Sequence, residues 1–160
     1  MFSSLLAAIY TVLTVATPFM SYGAVQFRIS EAMCFLPAVM PHSTVGVVLG
    51  CFITNLLGAF SGANPIGIID SVVGSTATLL SCLAVRYLFK KIKNRKLLGL
   101  ILPTPVILFN SVIIGLELVL IYPPATLLKF LSFAGSVGLG EAAVLYTLGN
   151  ILLYYLLKKK

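Results

Sequence analysis

Charge is what this sequence has least of. Charged residues make up 9% of the 160, with four acids against eleven basic residues, and none precedes Arg28. A soluble domain carries about 25% charged residues, so this composition excludes one. Cysteine is sparse as well. Cys34, Cys51 and Cys82 are an odd number, scattered through apolar segments without metal-ligand spacing, and they read as buried packing residues rather than as chemistry. Catalytic signatures are also missing, for there is no P-loop, no H-x-x-x-H, no C-x-x-C and no nucleophile elbow. The chain is therefore expected to have no catalytic residue, no metal site and no cofactor, and it has no recognisable means of binding ATP. It also lacks the paired halves with matching broken helices that mark many secondary transporters.

What remains is apolar sequence punctuated by turns. Hydrophobic residues make up 59% and the mean hydropathy is +1.08, values of an integral membrane protein. At roughly 20 residues per spanning helix, the chain holds about six spans with almost nothing left over. The expected fold is an all-α integral membrane protein of six transmembrane helices, a single transmembrane domain over residues 1–160. Residues 2–17 read as the first span rather than a signal peptide, since no basic n-region precedes them and no A-x-A pattern follows. Residues 18–27, with Ser21, Tyr22, Gly23 and Gln26, read as a loop or a wound-down helix end. Residues 29–40 are a short span, bent by Pro37 and Pro41 and ending in the turn Pro41-His42-Ser43. His42, a lone histidine beside a proline, reads as a polar turn residue. Residues 43–60 and 66–89 are the third and fourth spans, separated by the turn formers of residues 61–65. Residues 97–116 are the fifth, and residues 125–139 read as a loose entry to a last helix that is clean from Glu141 onward.

The basic residues gather at positions 86–96 and 158–160, flanking apolar spans, and this pattern speaks of topology rather than nucleic acid. Positive-inside logic puts both clusters in the cytoplasm. The N-terminus is then cytoplasmic too, and the connections at 21–26, 61–65 and 122–129 face out of the cell membrane.

The few charges within the spans need reasons. An Arg or an acid at the centre of a spanning helix costs about 2.5–3.5 kcal/mol, so such groups pair, reach the interface or line a polar cavity. Arg28 and Glu31 open the second span and are expected to pair with each other. Asn55 lies near the outer end of the third, Asp70 near the start of the fourth, and Glu117 near the end of the fifth. With Glu141, all four acids fall in the outer half although they come from different spans. That placement implies a polar pocket open to the outside, with Asn110 and Asn150 as further amides. Small residues on the first helix, Ser3, Ala7 and Thr11 in one row and Ser4 and Ala8 in the next, form a smooth face. Such faces permit close backbone approach in lipid, either within this chain or against a partner.

Three stretches together carry a resemblance. Arg28-Ile29-Ser30-Glu31-Ala32 with Leu36-Pro37, then Gly50-Cys51-Phe52-Ile53-Thr54-Asn55-Leu56, then Asp70-Ser71-Val72-Val73-Gly74-Ser75-Thr76-Ala77-Thr78-Leu79, resemble the QueT family in order and spacing, and the similarity runs on through Gly140-Glu141. QueT proteins are regarded as substrate-binding S-components of energy-coupling factor (ECF) transporters for queuosine precursors. The resemblance implies an S-component-like six-helix bundle and a 7-deazaguanine ligand. It also implies a module of one transmembrane scaffold subunit and two cytoplasmic ATPases, which use the ATP. A guanine-like edge presents adjacent donors that suit one carboxylate, which makes Glu117 or Glu141 its expected reader. Phe133, Tyr122 and Tyr146 are candidate stacking rings. Scaffold docking would fall to Ser4, Ala7, Ala8 and Thr11, although the Ala-x-x-x-Ala pattern common on S-components is incomplete, since Val12 follows Ala8. An S-component for another vitamin or micronutrient is the neighbouring reading, and a small intramembrane enzyme using Glu117 or Glu141 as a base is one of a different class.

Overall fold

A computed structural model describes residues 1–22 and 26–158. Gly23, assigned above to a connection, and Lys159 and Lys160 of the basic tail lie outside them. Among the described residues the fold is wholly helical. In chain order the helices are α1 (Phe2–Val15), α2 (Pro18–Ser21), α3 (Leu36–Val39), α4 (Ser43–Phe60), α5 (Gly67–Lys91), α6 (Arg95–Ile101), α7 (Pro103–Ile121), α8 (Leu127–Val144) and α9 (Asn150–Lys158). A 3₁₀ stretch, Ile29–Phe35, leads into α3, and a π segment, Leu145–Gly149, joins α8 to α9.

Four continuous helices are long and apolar enough to cross a membrane, namely Ser43–Phe60, Gly67–Lys91, Arg95–Ile121 and Leu127–Lys158. The expected six spans become these four plus two shorter apolar pieces, Phe2–Val15 and Ile29–Val39. At 1.5 Å per residue α1 is roughly 21 Å long, short of a hydrocarbon core of about 30 Å. Pro103 opens α7 after the single residue Leu102 that parts it from α6, a first helical position where proline's missing N–H costs nothing. Residues 125–139, expected to be loose, are helical from Leu127, where the Thr126 hydroxyl accepts a hydrogen bond from the Lys129 N–H at 3.3 Å and starts the helix. Residues 18–27, expected to be a loop or a wound-down helix end, include the short α2, with Pro18 at its start.

Burial runs inside out relative to a soluble bundle. On α4 the large side chains Val45, Leu49, Ile53 and Leu57, four apart and therefore on one face, are exposed, while Gly46, Gly50, Cys51, Thr54 and Asn55 are buried. On α5 the buried face runs from Asp70, Ser71, Gly74, Ser75 and Thr78 to Ser81, Cys82 and Val85. Large apolar side chains meet lipid at no cost, whereas backbones associate by close contact of small residues. Helices α1 and α4 show how close that contact is. A Cβ on Gly46 would sit 2.6 Å from the Ser3 carbonyl oxygen, and one on Gly50 would sit 2.6 Å from the Tyr10 Cβ.

The 3₁₀ stretch and α3 occupy the centre. Ser30 through Ala38 are all buried, and Phe35, fully buried, packs with Tyr10, Val47, Val85, Leu102 and Leu145. This stretch had been expected to be a bent span. A 3₁₀ run of seven residues is unusually long. At membrane depth such backbone is tolerated only where protein surrounds it. Gly140 makes the enclosure possible, since a Cβ there would collide with the Gln26 carbonyl oxygen.

Candidate ligand-binding site

Arg28 is the hub. Its backbone is extended, just ahead of the 3₁₀ stretch, so the helical i,i+3 relation to Glu31 does not hold. It pairs instead across the fold with Asp70, Nη2 to Oδ2 at 3.5 Å, both side chains being buried. Its guanidinium lies 5.8 Å from the centre of the Tyr22 ring, a cation–π contact. Burial pushes the Tyr22 phenol pKa up to about 12 against the opposing Arg28 charge. The hydroxyl therefore stays a donor, to the Thr54 carbonyl at 2.8 Å.

Glu31 faces the other way. One carboxylate oxygen accepts from the Tyr10 hydroxyl and the other from the Cys34 thiol at 3.0 Å. The expected Arg28–Glu31 pair is thus replaced by two separate attachments, each holding the 3₁₀ stretch to a different helix layer. Asp70 accepts from Asn64 Nδ2 at 2.8 Å through the oxygen that meets Arg28, while its main-chain carbonyl accepts from Asn55 Nδ2 at 3.0 Å.

Helices α7 and α8 supply the remaining acids. Glu117, four residues before the end of α7, interacts electrostatically with Asp70 and Arg28. Glu141 interacts with Glu31 and Arg28. Arg28 thus pairs with Asp70 and is felt electrostatically by Glu31, Glu117 and Glu141. Because the last helix starts at Leu127, Glu141 lies just before the midpoint of Leu127–Lys158, about 21 Å from its start. Among the described residues no three His, Cys, Asp or Glu are grouped to hold a metal ion.

The chemistry on offer shows in the unpaired atoms. Both oxygens of Glu117, Oε2 of Glu141, Oδ1 of Asp70, Oδ1 of Asn55 and Oγ1 of Thr54 are buried without a hydrogen-bond partner, as are the donors Arg28 Nε and Asn110 Nδ2. Burying a polar group without a partner costs free energy, so these atoms are the ones with capacity left to meet a ligand. Acceptors predominate, which favours a ligand rich in N–H donors. A cavity of about 230 Å³ is lined by Tyr22, Gln26, Asn64, Leu118, Tyr122 and Phe133, with Asn64 the residue that links it to Asp70. The rings of Tyr122 and Phe133 lie 6.4 Å apart.

Two expected residues fall elsewhere. Asn150 packs near Gly99, in a groove with Arg95, Lys96 and Lys158. The Tyr146 hydroxyl donates to the Leu100 carbonyl at 3.1 Å. Neither lines the cavity beside Tyr122 and Phe133. Residues that sequence reasoning passed over include Tyr10, Tyr22 and Asn64. The usable signal was Tyr10, whose hydroxyl in the middle of an uncharged span demands a buried partner.

The small-residue face of α1 divides. Ala7 is 5% exposed and packs against α4 at Gly50, forming the floor of the groove that its neighbours line. Ser4 and Ala8 are exposed and Thr11 partly so, and with Leu49 and Ile53 they line an outward groove of about 400 Å³.

A family model described as the QueT transporter matches residues 1–158. The chain is similar to the queuosine precursor transporter QueT of Lactococcus lactis subsp. cremoris (strain MG1363), 33% identical over 94 residues, or 57% of this chain and 51% of that protein. The match thus spans about half the length of that curated relative. No solved structure matches the chain.

Proposed function

Because the chain belongs to the QueT transporter family, we propose that it is the substrate-binding membrane subunit of an ECF transporter, taking up a queuosine precursor of the 7-deazaguanine class. The observation that carries this reading is the set of buried, unpaired acceptors around Arg28, above all the two free oxygens of Glu117. A 7-deazaguanine edge offers a ring N–H and an amino group side by side, and one carboxylate accepts both. Asn110, seven residues earlier on α7 and so about 10 Å away on the same face, brings its unpaired Nδ2 to an acceptor farther along the ligand. Glu141, deeper, suits a protonated aminomethyl substituent. Tyr122 and Phe133 supply rings at the mouth. The name of the Lactococcus relative supports the same substrate class.

In this reading the pocket mouth faces out and the basic clusters face the cytoplasm. The groove of Ser4, Ala8 and Thr11 receives the scaffold subunit, and two partner ATPases use the ATP. Isothermal titration of the purified protein with a panel of 7-deazaguanines and vitamins tests it. Stoichiometric binding of a 7-deazaguanine without product is the expected result. Binding of a vitamin alone would move the chain to another micronutrient, and product formation would mark an intramembrane enzyme.

A further inference from the structure

A second groove lies away from Arg28 and Asp70, between α6 and α9. It measures about 450 Å³, and its lining includes Arg95, Lys96, Gly99, Asn150, Leu153 and Lys158. Three features define its chemistry. First, Arg95, Lys96 and Lys158 are exposed, and none of their side chains forms an ion pair among the described residues. No acidic side chain is among the groove's lining residues. Second, the groove has an apolar wall, with Leu153 and Leu157 beside Tyr154. Third, Asn150 Oδ1 is buried there without a donor, while its Nδ2 donates to the Tyr146 carbonyl at 3.3 Å.

The level in the bilayer is readable as well. Tyr87, Tyr154 and Tyr155 are all exposed near this end, as tyrosines are at membrane–water interfaces. Lys91 reaches over the Tyr87 ring at 5.6 Å. Gly99 opens the floor, since a Cβ there would already lie 3.3 Å from Asn150 Oδ1.

We infer that the α6–α9 groove binds an anionic phospholipid with a hydroxylated headgroup, of the phosphatidylglycerol type. The three cations take the phosphate, the orphan Asn150 oxygen accepts from a headgroup hydroxyl, and the Leu153 and Leu157 wall receives an acyl chain. Basic pockets between helices at the interface are suited to anionic headgroups. This site does not depend on what binds beside Arg28.

The test uses the full chain in detergent, with lipid retention read by native mass spectrometry and thermal stability read in parallel. Expected are one retained phosphatidylglycerol per chain and a raised Tm, with no such effect from phosphatidylcholine. Each cation near an anionic lipid surface is worth about a fivefold change in binding, so replacing all three by Gln should weaken retention about a hundredfold. Gly99→Leu fills the groove while keeping every charge, and should abolish retention with elution and helical circular dichroism unchanged. Asn150→Leu should erase the preference for phosphatidylglycerol over phosphatidic acid. Equal retention of phosphatidylcholine, retention that survives both Gly99→Leu and the triple replacement, or the same stabilisation by soluble glycerol phosphate would each overturn the lipid site.

Discussion

Replacing Glu117 by Gln separates a ligand-reading residue from a structural one, because stability and affinity should move in opposite directions. In the unliganded fold neither Glu117 oxygen has a hydrogen-bond partner, so the substitution breaks no internal bond. It instead removes an ionisable group that burial penalises. Thermal stability without ligand should therefore stay constant or rise. With ligand the balance reverses. Two charge-assisted bonds, each worth about 1.5–3 kcal/mol, depend on the carboxylate. Gln keeps one acceptor and turns the other atom into a donor that opposes the ligand's own donor. A net loss of about 2–4 kcal/mol, or roughly thirtyfold to a thousandfold in affinity, follows. Differential scanning fluorimetry of the ligand-free protein and isothermal titration with the preferred 7-deazaguanine read the two halves. A variant that melts several degrees lower yet binds with unchanged affinity would refute the reasoning, since Glu117 would then be a structural acid like Glu31.

Four further outcomes are expected. Arg28→Met should destabilise the protein by about 3–5 kcal/mol, because it strands Asp70 in the interior, and adding Asp70→Leu should recover much of that loss; a denaturant series on the two variants checks both. Gly140→Val should prevent the Gln26 segment from seating on α8 and so lower the yield of folded, monodisperse protein, as gel filtration would show. Ala8→Trp should abolish co-purification with a scaffold subunit while ligand binding persists, whereas Ala7→Trp should unfold the α1–α4 contact and cost both. Single cysteines introduced at positions 63 and 125 should react with an impermeant reagent on intact cells, and one at position 93 should not; the reverse pattern would invert the topology.

Composition alone determined the solvent, the helical class and most segment positions, because about 20 apolar residues in a row can satisfy their backbone in lipid only as a helix. Ser43–Phe60 coincides with its expected span for that reason. The rarity of charge also singled out Arg28, Asp70, Glu117 and Glu141 before any geometry was known. Their partners were not legible. Arg28 meets Asp70 rather than Glu31 because an extended residue ahead of a 3₁₀ turn does not follow helical spacing, and only packing reveals which neighbour it reaches. Glu141 lies within its helix and not at its start because the Thr126 cap opens that helix some fourteen residues early, and glycine-rich sequence conceals a helix whose small residues serve close contact. Asn150 differs in kind from the rest. Pattern placed it with the other amides, but helix register past the π segment brings it to Gly99 and the basic end, where three cations and no acidic side chain await a different ligand. A sequence states which groups are too costly to leave unpaired in lipid; which of them meet is decided by the register and depth of the packed helices.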